Sequence, residues 1–189
     1  MVTHGVVAPR AWLFAVLALL APAVSGLALW GCAGIASGSY VNSQTGLTPY
    51  ATVGWGPADG VPTGDPRLDN NPFFHNRVRA RIERELTSRG YAFAPSGDPD
   101  LLVHVHLSMT QQIDTTLIDE EFCADGDCRP EVYDVGTLVV DLVDPVPGSL
   151  VWRGWAKSDL GEIVNDQAAM ERRIDESVAR LFVRLPSRR

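Results

Sequence analysis

The sequence predicts an α/β (α+β) fold: a two-layer sandwich whose mainly antiparallel sheet carries two helices on one face, in the order β-α-β-β-β-α. Three observations predict it. Residues 101–109 alternate, with every odd position apolar, which is the period of a strand with one buried face. Segments near 73–89 and 166–185 instead repeat apolar residues every three or four positions, the period of an amphipathic helix. Two β-rich runs, 136–144 and 150–158, flank the Pro/Gly turn at 144–149 and read as a hairpin.

Taken in order, residues 50–55 form a short first strand that runs into a breaker. The loop at 56–72 holds Pro57, Pro62, Pro66 and Pro72 with Gly56, Gly60 and Gly64, so neither helix nor ladder-forming strand is expected there. Asn70 and Asn71 offer caps for a helix starting at Pro72 or Phe73, and Gly90 stops it. Phe74, Val78, Ile82 and Leu86 are its apolar stripe. The arginines on its other faces are interspersed with glutamates and read as a solvated surface rather than a basic patch. In the strand at 101–109 the odd positions face the helices and His104, His106 and Ser108 face away. Asn165 or Asp166 caps the final helix, whose stripe is Met170, Ile174, Val178, Leu181 and Leu185, with Pro186 as its stop.

The 189 residues fit one domain with appendages. Residues 1–31 hold one fixed charge, Arg10, so the remainder carries 15 basic and 23 acidic residues, a net of −8. An acidic domain without a Lys/Arg stripe has no electrostatic affinity for phosphate backbones, so nucleic acid is not an expected partner.

Arg10 precedes an apolar stretch from Ala11 to Leu20, a signal-peptide pattern. The sequence Leu29-Trp30-Gly31-Cys32 resembles the lipobox of bacterial lipoproteins. That resemblance implies a diacylglyceryl group on the Cys32 sulfur, cleavage before Cys32, and acylation of the new N-terminus, with palmitate the expected chain. An ordinary cleaved signal and an uncleaved membrane anchor are the alternatives, the anchor opposed by Pro22 and Gly26. Ala33 stands where aspartate would favour inner-membrane retention, so the resemblance implies an outer-membrane destination facing the periplasm. Three segments are therefore expected: a signal peptide at 1–31, a lipidated cysteine with a flexible tether at 32–49 of about 20 Å reach, and a globular domain at 50–189.

The domain also resembles a family of small lipoproteins known as domain of unknown function 4136. The residues that carry the resemblance are the aromatic strand ending at Trp55, Gly-Asp-Pro-Arg-Leu-Asp-Asn-Asn-Pro-Phe before the first helix and Glu-Leu-Thr-Ser-Arg-Gly-Tyr closing it. Asp-Pro-Asp-Leu-Leu-Val, Gly-Thr-Leu-Val-Val-Asp-Leu-Val-Asp-Pro and Leu-Val-Trp-Arg-Gly-Trp-Ala follow in order. The resemblance implies a location and a fold without an established activity.

With Cys32 committed to lipid, Cys123 and Cys128 remain as a pair suited to a disulfide in an oxidising compartment, in preference to a zinc or redox site. His104 and His106 project from one strand face about 7 Å apart. They are weak metal candidates, because no third ligand lies nearby in sequence. The acidic run from Asp114 to Asp134 lacks the ligand spacing of an EF-hand and reads as a solvated hairpin loop. Trp152 and Trp155 flank Arg153-Gly154, which puts one indole in the core and offers the other, with Arg153, as an interaction surface. No nucleophile elbow, phosphate-cradling loop or cofactor motif is present, and no cofactor is expected. The expected function is a lipid-anchored envelope protein with a noncatalytic domain that binds an envelope protein or a small ligand. The alternative is an envelope hydrolase or metal-dependent enzyme with a site built from the loops and the His104/His106 strand.

Overall fold

The computed structural model describes residues 34–58, 60–94, 97–114 and 131–188. The expected signal peptide, Cys32, Cys123 and Cys128 lie outside the described residues, as does most of the acidic loop. In chain order the elements are β1 (Ile35–Val41), β2 (Thr52–Trp55), α1 (Pro66–Asp69), α2 (Pro72–Ser88), β3 (Ala92–Phe93), β4 (Leu101–Asp114), β5 (Glu131–Asp144), β6 (Ser149–Asp159), a 3-10 turn (Gly161–Asn165) and α3 (Gln167–Phe182). The strands form one sheet in the order β1-β6-β5-β4-β2-β3. β1, β6, β5 and β4 pair antiparallel, while β2 lies parallel to both β4 and β3. No helix among the described residues is long and apolar enough to cross a membrane.

Both helices cover one face of the sheet, as the periodicities require. Phe74, Val78, Ile82 and Leu86 of α2 and Met170, Ile174, Val178 and Leu181 of α3 join one core with Leu101, Val103, Leu138, Val140, Leu142 and Trp152. The caps form as the sequence offers them: the Asn71 side chain accepts from Phe74 N at 3.1 Å and that of Asp166 from Ala169 N at 3.0 Å. Gly90, at φ 88°, closes α2 in a conformation only glycine adopts readily. Arg77 is more than a solvated arginine: it forms a forked pair with Asp175 that links α2 to α3, at 3.1 and 2.6 Å.

Two expectations are corrected. The tether expected over 32–49 is not one: residues 35–41 are β1, with Ile35 opposite Ser158 and Val41 opposite Trp152, and Leu47 is buried in the core. Ala, Ser and Gly carry little intrinsic strand preference, so the pairing comes from tertiary context. A Cβ at Gly38 would stand 2.7 Å from the Trp155 indole, so the smallness that looked like flexibility is a fit. The loop at 56–72 also contains a helical turn, α1. Pro66 occupies its first position, where no N–H is needed, and the Asp65 side chain accepts from Arg67 N at 2.7 Å.

One irregularity sets the packing of β6. Leu142 pairs with Trp152 but Val143 with Leu150, so Val151 is an extra residue in the ladder. From Trp152 onward the even positions face the helices. The Trp152 indole stacks on Phe182, with ring centroids 5.3 Å apart, and lies over Gly154. A Cβ at Gly154 would meet that indole at 2.3 Å. Replacing Gly154 with alanine is therefore expected to cost about 1–3 kcal/mol by overpacking, read as a lower urea midpoint with an unchanged m-value.

Candidate functional site

The helix layer leaves the other face of the sheet uncovered, and residues from four strands meet there. Strand register alone builds the array. His104, Asp141, Arg153 and Tyr40 form one row across β4, β5, β6 and β1, and His106, Val139, Trp155 and Gly38 form the next. Asp141 anchors it. Arg153 Nε donates to Asp141 Oδ1 at 2.7 Å and Nη2 to Oδ2 at 2.6 Å, a forked, charge-assisted pair. His106 Nε2 stands 3.4 Å from the same Oδ2. Asp141 is 5% exposed, so the carboxylate sits beneath its partners while Arg153 remains half exposed above it. The bond to Asp141 raises the guanidinium above its ordinary pKa.

Around that pair, Tyr40 is 60% and Trp155 39% exposed. Trp155 lies flat over Gly38 of the edge strand, so two aromatic surfaces flank a fixed cation. Of the expected interaction residues, Arg153 and Trp155 lie on this face. Trp152 does not: it is fully buried, because the bulge turns it toward α3. His104 and His106 project from the uncovered face as alternation requires, with the His104 ring against Gly56. Among the described residues no group of three His, Cys, Asp or Glu is placed to hold a metal ion.

A second feature lies on the helix side. The Gly/Pro loop, β2, β4 and α2 enclose a cleft of about 590 Å³. Its floor is Val103, Val105 and Leu107, and Trp55, His75 and Arg79 line its wall. The Arg79 guanidinium sits 4.0 Å above the Trp55 ring, whose Nε1 donates to Glu83 at 2.8 Å. The loop is held in place rather than draped: Met109 N donates to Thr63 O at 2.6 Å, and Arg67 pairs with Asp65 and Asp134. Arg67 and the Arg67 backbone N–H hold the Asp65 carboxyl below its ordinary pKa. The cleft floor and the histidines are opposite faces of one strand, and the two features meet only where Gly56 at the start of the loop adjoins the His104 ring. The acidic loop that the enzyme alternative also draws on lies outside the described residues.

Tyr40 and Asp141 were missed from sequence. Asp141 had a signal, a lone acid inside the apolar run Val139-Val140-Asp141-Leu142-Val143. Tyr40 had none, because its segment did not read as a strand.

The model of the domain of unknown function DUF4136 matches residues 38–187. The chain belongs to the DUF4136 family. No curated protein matches it significantly. Among solved structures, a PDZ domain protein from Parabacteroides distasonis is 14% identical at a TM-score of 0.51. The match covers 82% of this chain but 36% of that one, and shows the fold alone. The PelC dodecamer from Paraburkholderia phytofirmans is 10% identical at a TM-score of 0.48, over 82% of this chain and all of that one. A DUF4136 family protein from Bacteroides thetaiotaomicron is 9% identical at a TM-score of 0.48, over 77% and 94%.

Two outcomes follow from this geometry. A double-mutant cycle between Asp141→Ala and Arg153→Ala is expected to give a coupling of about 1–2 kcal/mol in urea unfolding, above the roughly 0–1 of an exposed pair. The depressed Asp65 pKa makes its contribution fully present above the ordinary value of 3.8 and lost as pH falls through the lower folded value. Asp65→Asn should therefore flatten the loss of stability as pH falls below the ordinary value of 3.8 while leaving the slope at neutral pH unchanged.

Proposed function

We propose that this DUF4136 chain is a lipid-anchored protein of the bacterial cell envelope whose domain works by binding an envelope partner, without catalysis. Acylation at Cys32 supplies the attachment, and Ala33 directs it to the outer membrane with the domain in the periplasm. Cys123 and Cys128 form a disulfide in that compartment.

The observation that carries the binding reading is the uncovered sheet face. An arginine fixed by a buried carboxylate and flanked by Tyr40 and Trp155 has the composition of an interface centre, where aromatic residues and arginine dominate. Preorganisation matters here, because the forked pair settles the Arg153 orientation before a partner arrives. A second reading rests on the cleft: about 590 Å³ with an apolar floor and a few polar groups is the size and character of a small-molecule pocket.

Intact mass of the mature protein from its host is expected to show a chain starting at an acylated Cys32, and Cys32→Ala should release it from the membrane. A photo-crosslinking residue at Tyr40 or Trp155 in the intact envelope should give one discrete adduct that Arg153→Ala weakens. Diffuse labelling insensitive to Arg153 would refute the face as a binding surface. Native mass spectrometry of the protein from its host tests the cleft, since a small-molecule adduct lost on Trp55→Ala would favour the second reading.

A further inference from the structure

We infer that the cleft beneath the Gly/Pro loop takes an amphiphile with an anionic head and an extended apolar chain, the head held by Arg79. This deepens the small-molecule reading of the cleft and rests on it. The first observation is a gap in the helix layer. Val103, Val105 and Leu107 all point to the helix side of β4, an interior strand of the sheet, yet only Val103 is buried. Val105 and Leu107 stay partly exposed because the cleft stands over them. Apolar side chains left half covered on the core side of an interior strand form a surface that an apolar ligand is suited to close.

The second observation is an unneutralised cation beside that surface. Arg77, Arg81, Arg84 and Arg89, on α2 or at its end, each pair with a carboxylate of Asp175 or Glu85. Arg79 does not. Among the described residues no acid lies within ion-pair distance of its guanidinium, which rests on the Trp55 ring. The acid one turn further along α2, Glu83, accepts from Trp55 Nε1 instead. Stacking on the indole orients the guanidinium and leaves its N–H groups for an anionic acceptor.

Strand register sets the direction of the ligand. Trp55 lies opposite Val103, which puts Arg79 at that end of the cleft. Thr63 O accepts from Met109 N, and the Asp69 carboxylate accepts from Thr63 N, which puts the acid at the other end. Between them the floor from Val103 to Leu107 runs about 13 Å. An anionic head therefore sits beside Arg79, with His75 one helical turn away on the same wall, and the chain lies along Val105 and Leu107 short of Asp69.

Isothermal titration calorimetry tests this on the full chain carrying Cys32→Ala, so that no bilayer competes for the probes, with decanoate, 1-decanol and decyltrimethylammonium. Decanoate is expected to bind on the order of tenfold more tightly than decanol, the gain from a charge-assisted hydrogen bond, although the acidic domain as a whole repels it. Raised salt should narrow that ratio. Arg79→Gln should erase the preference, while Arg84→Gln, which removes the same charge from the same helix outside the cleft, should keep it. Arg79 is exposed, so an unchanged thermal midpoint is expected for its variant. A preference that survives Arg79→Gln, or tightest binding of decyltrimethylammonium, would overturn the inference. Equal binding of decanoate and decanol would overturn the anionic head while leaving the cleft a pocket. Binding of neither would also overturn it, and a small-molecule adduct in native mass spectrometry then shows whether the cleft reading stands without it.

Discussion

The packing of Trp152 over Gly154 is the constraint on which the rest of the structure depends. A fully buried indole needs a flat bed, and the missing Cβ at position 154 provides it between the sheet and Phe182. Once Trp152 points at the helices, strand alternation leaves no choice for its neighbours. Gly154, Ala156 and Ser158 follow it inward, and Arg153, Trp155 and Lys157 turn outward. One packing event in the core thus writes the composition of the uncovered face.

The bulge at Val151 makes that event compatible with the hairpin. Continuing the register of Asp144 with Ser149 and Val143 with Leu150 would set Asp141 opposite Trp152. The extra residue sets it opposite Arg153 instead, within reach of a forked pair. A carboxylate at 5% exposure is expensive to bury without a partner. The same shift therefore places the indole and satisfies the charge, which is why a bulge at this position is a working part of the fold.

These relations explain how far the sequence could be read. Helices, caps, the hairpin and the inward positions of β4 were legible, because each is written in local periodicity or in a residue with one conformational role, such as Asn71, Asp166 and Gly90. β1 was illegible because its evidence lies in its partner strand: Gly38 makes sense only under Trp155, more than a hundred residues away. The parallel placement of β2 between β4 and the two-residue β3 likewise leaves no periodic trace. The Arg153–Asp141 pair was hidden for a third reason. Its register depends on a bulge, which no pattern of apolar residues announces.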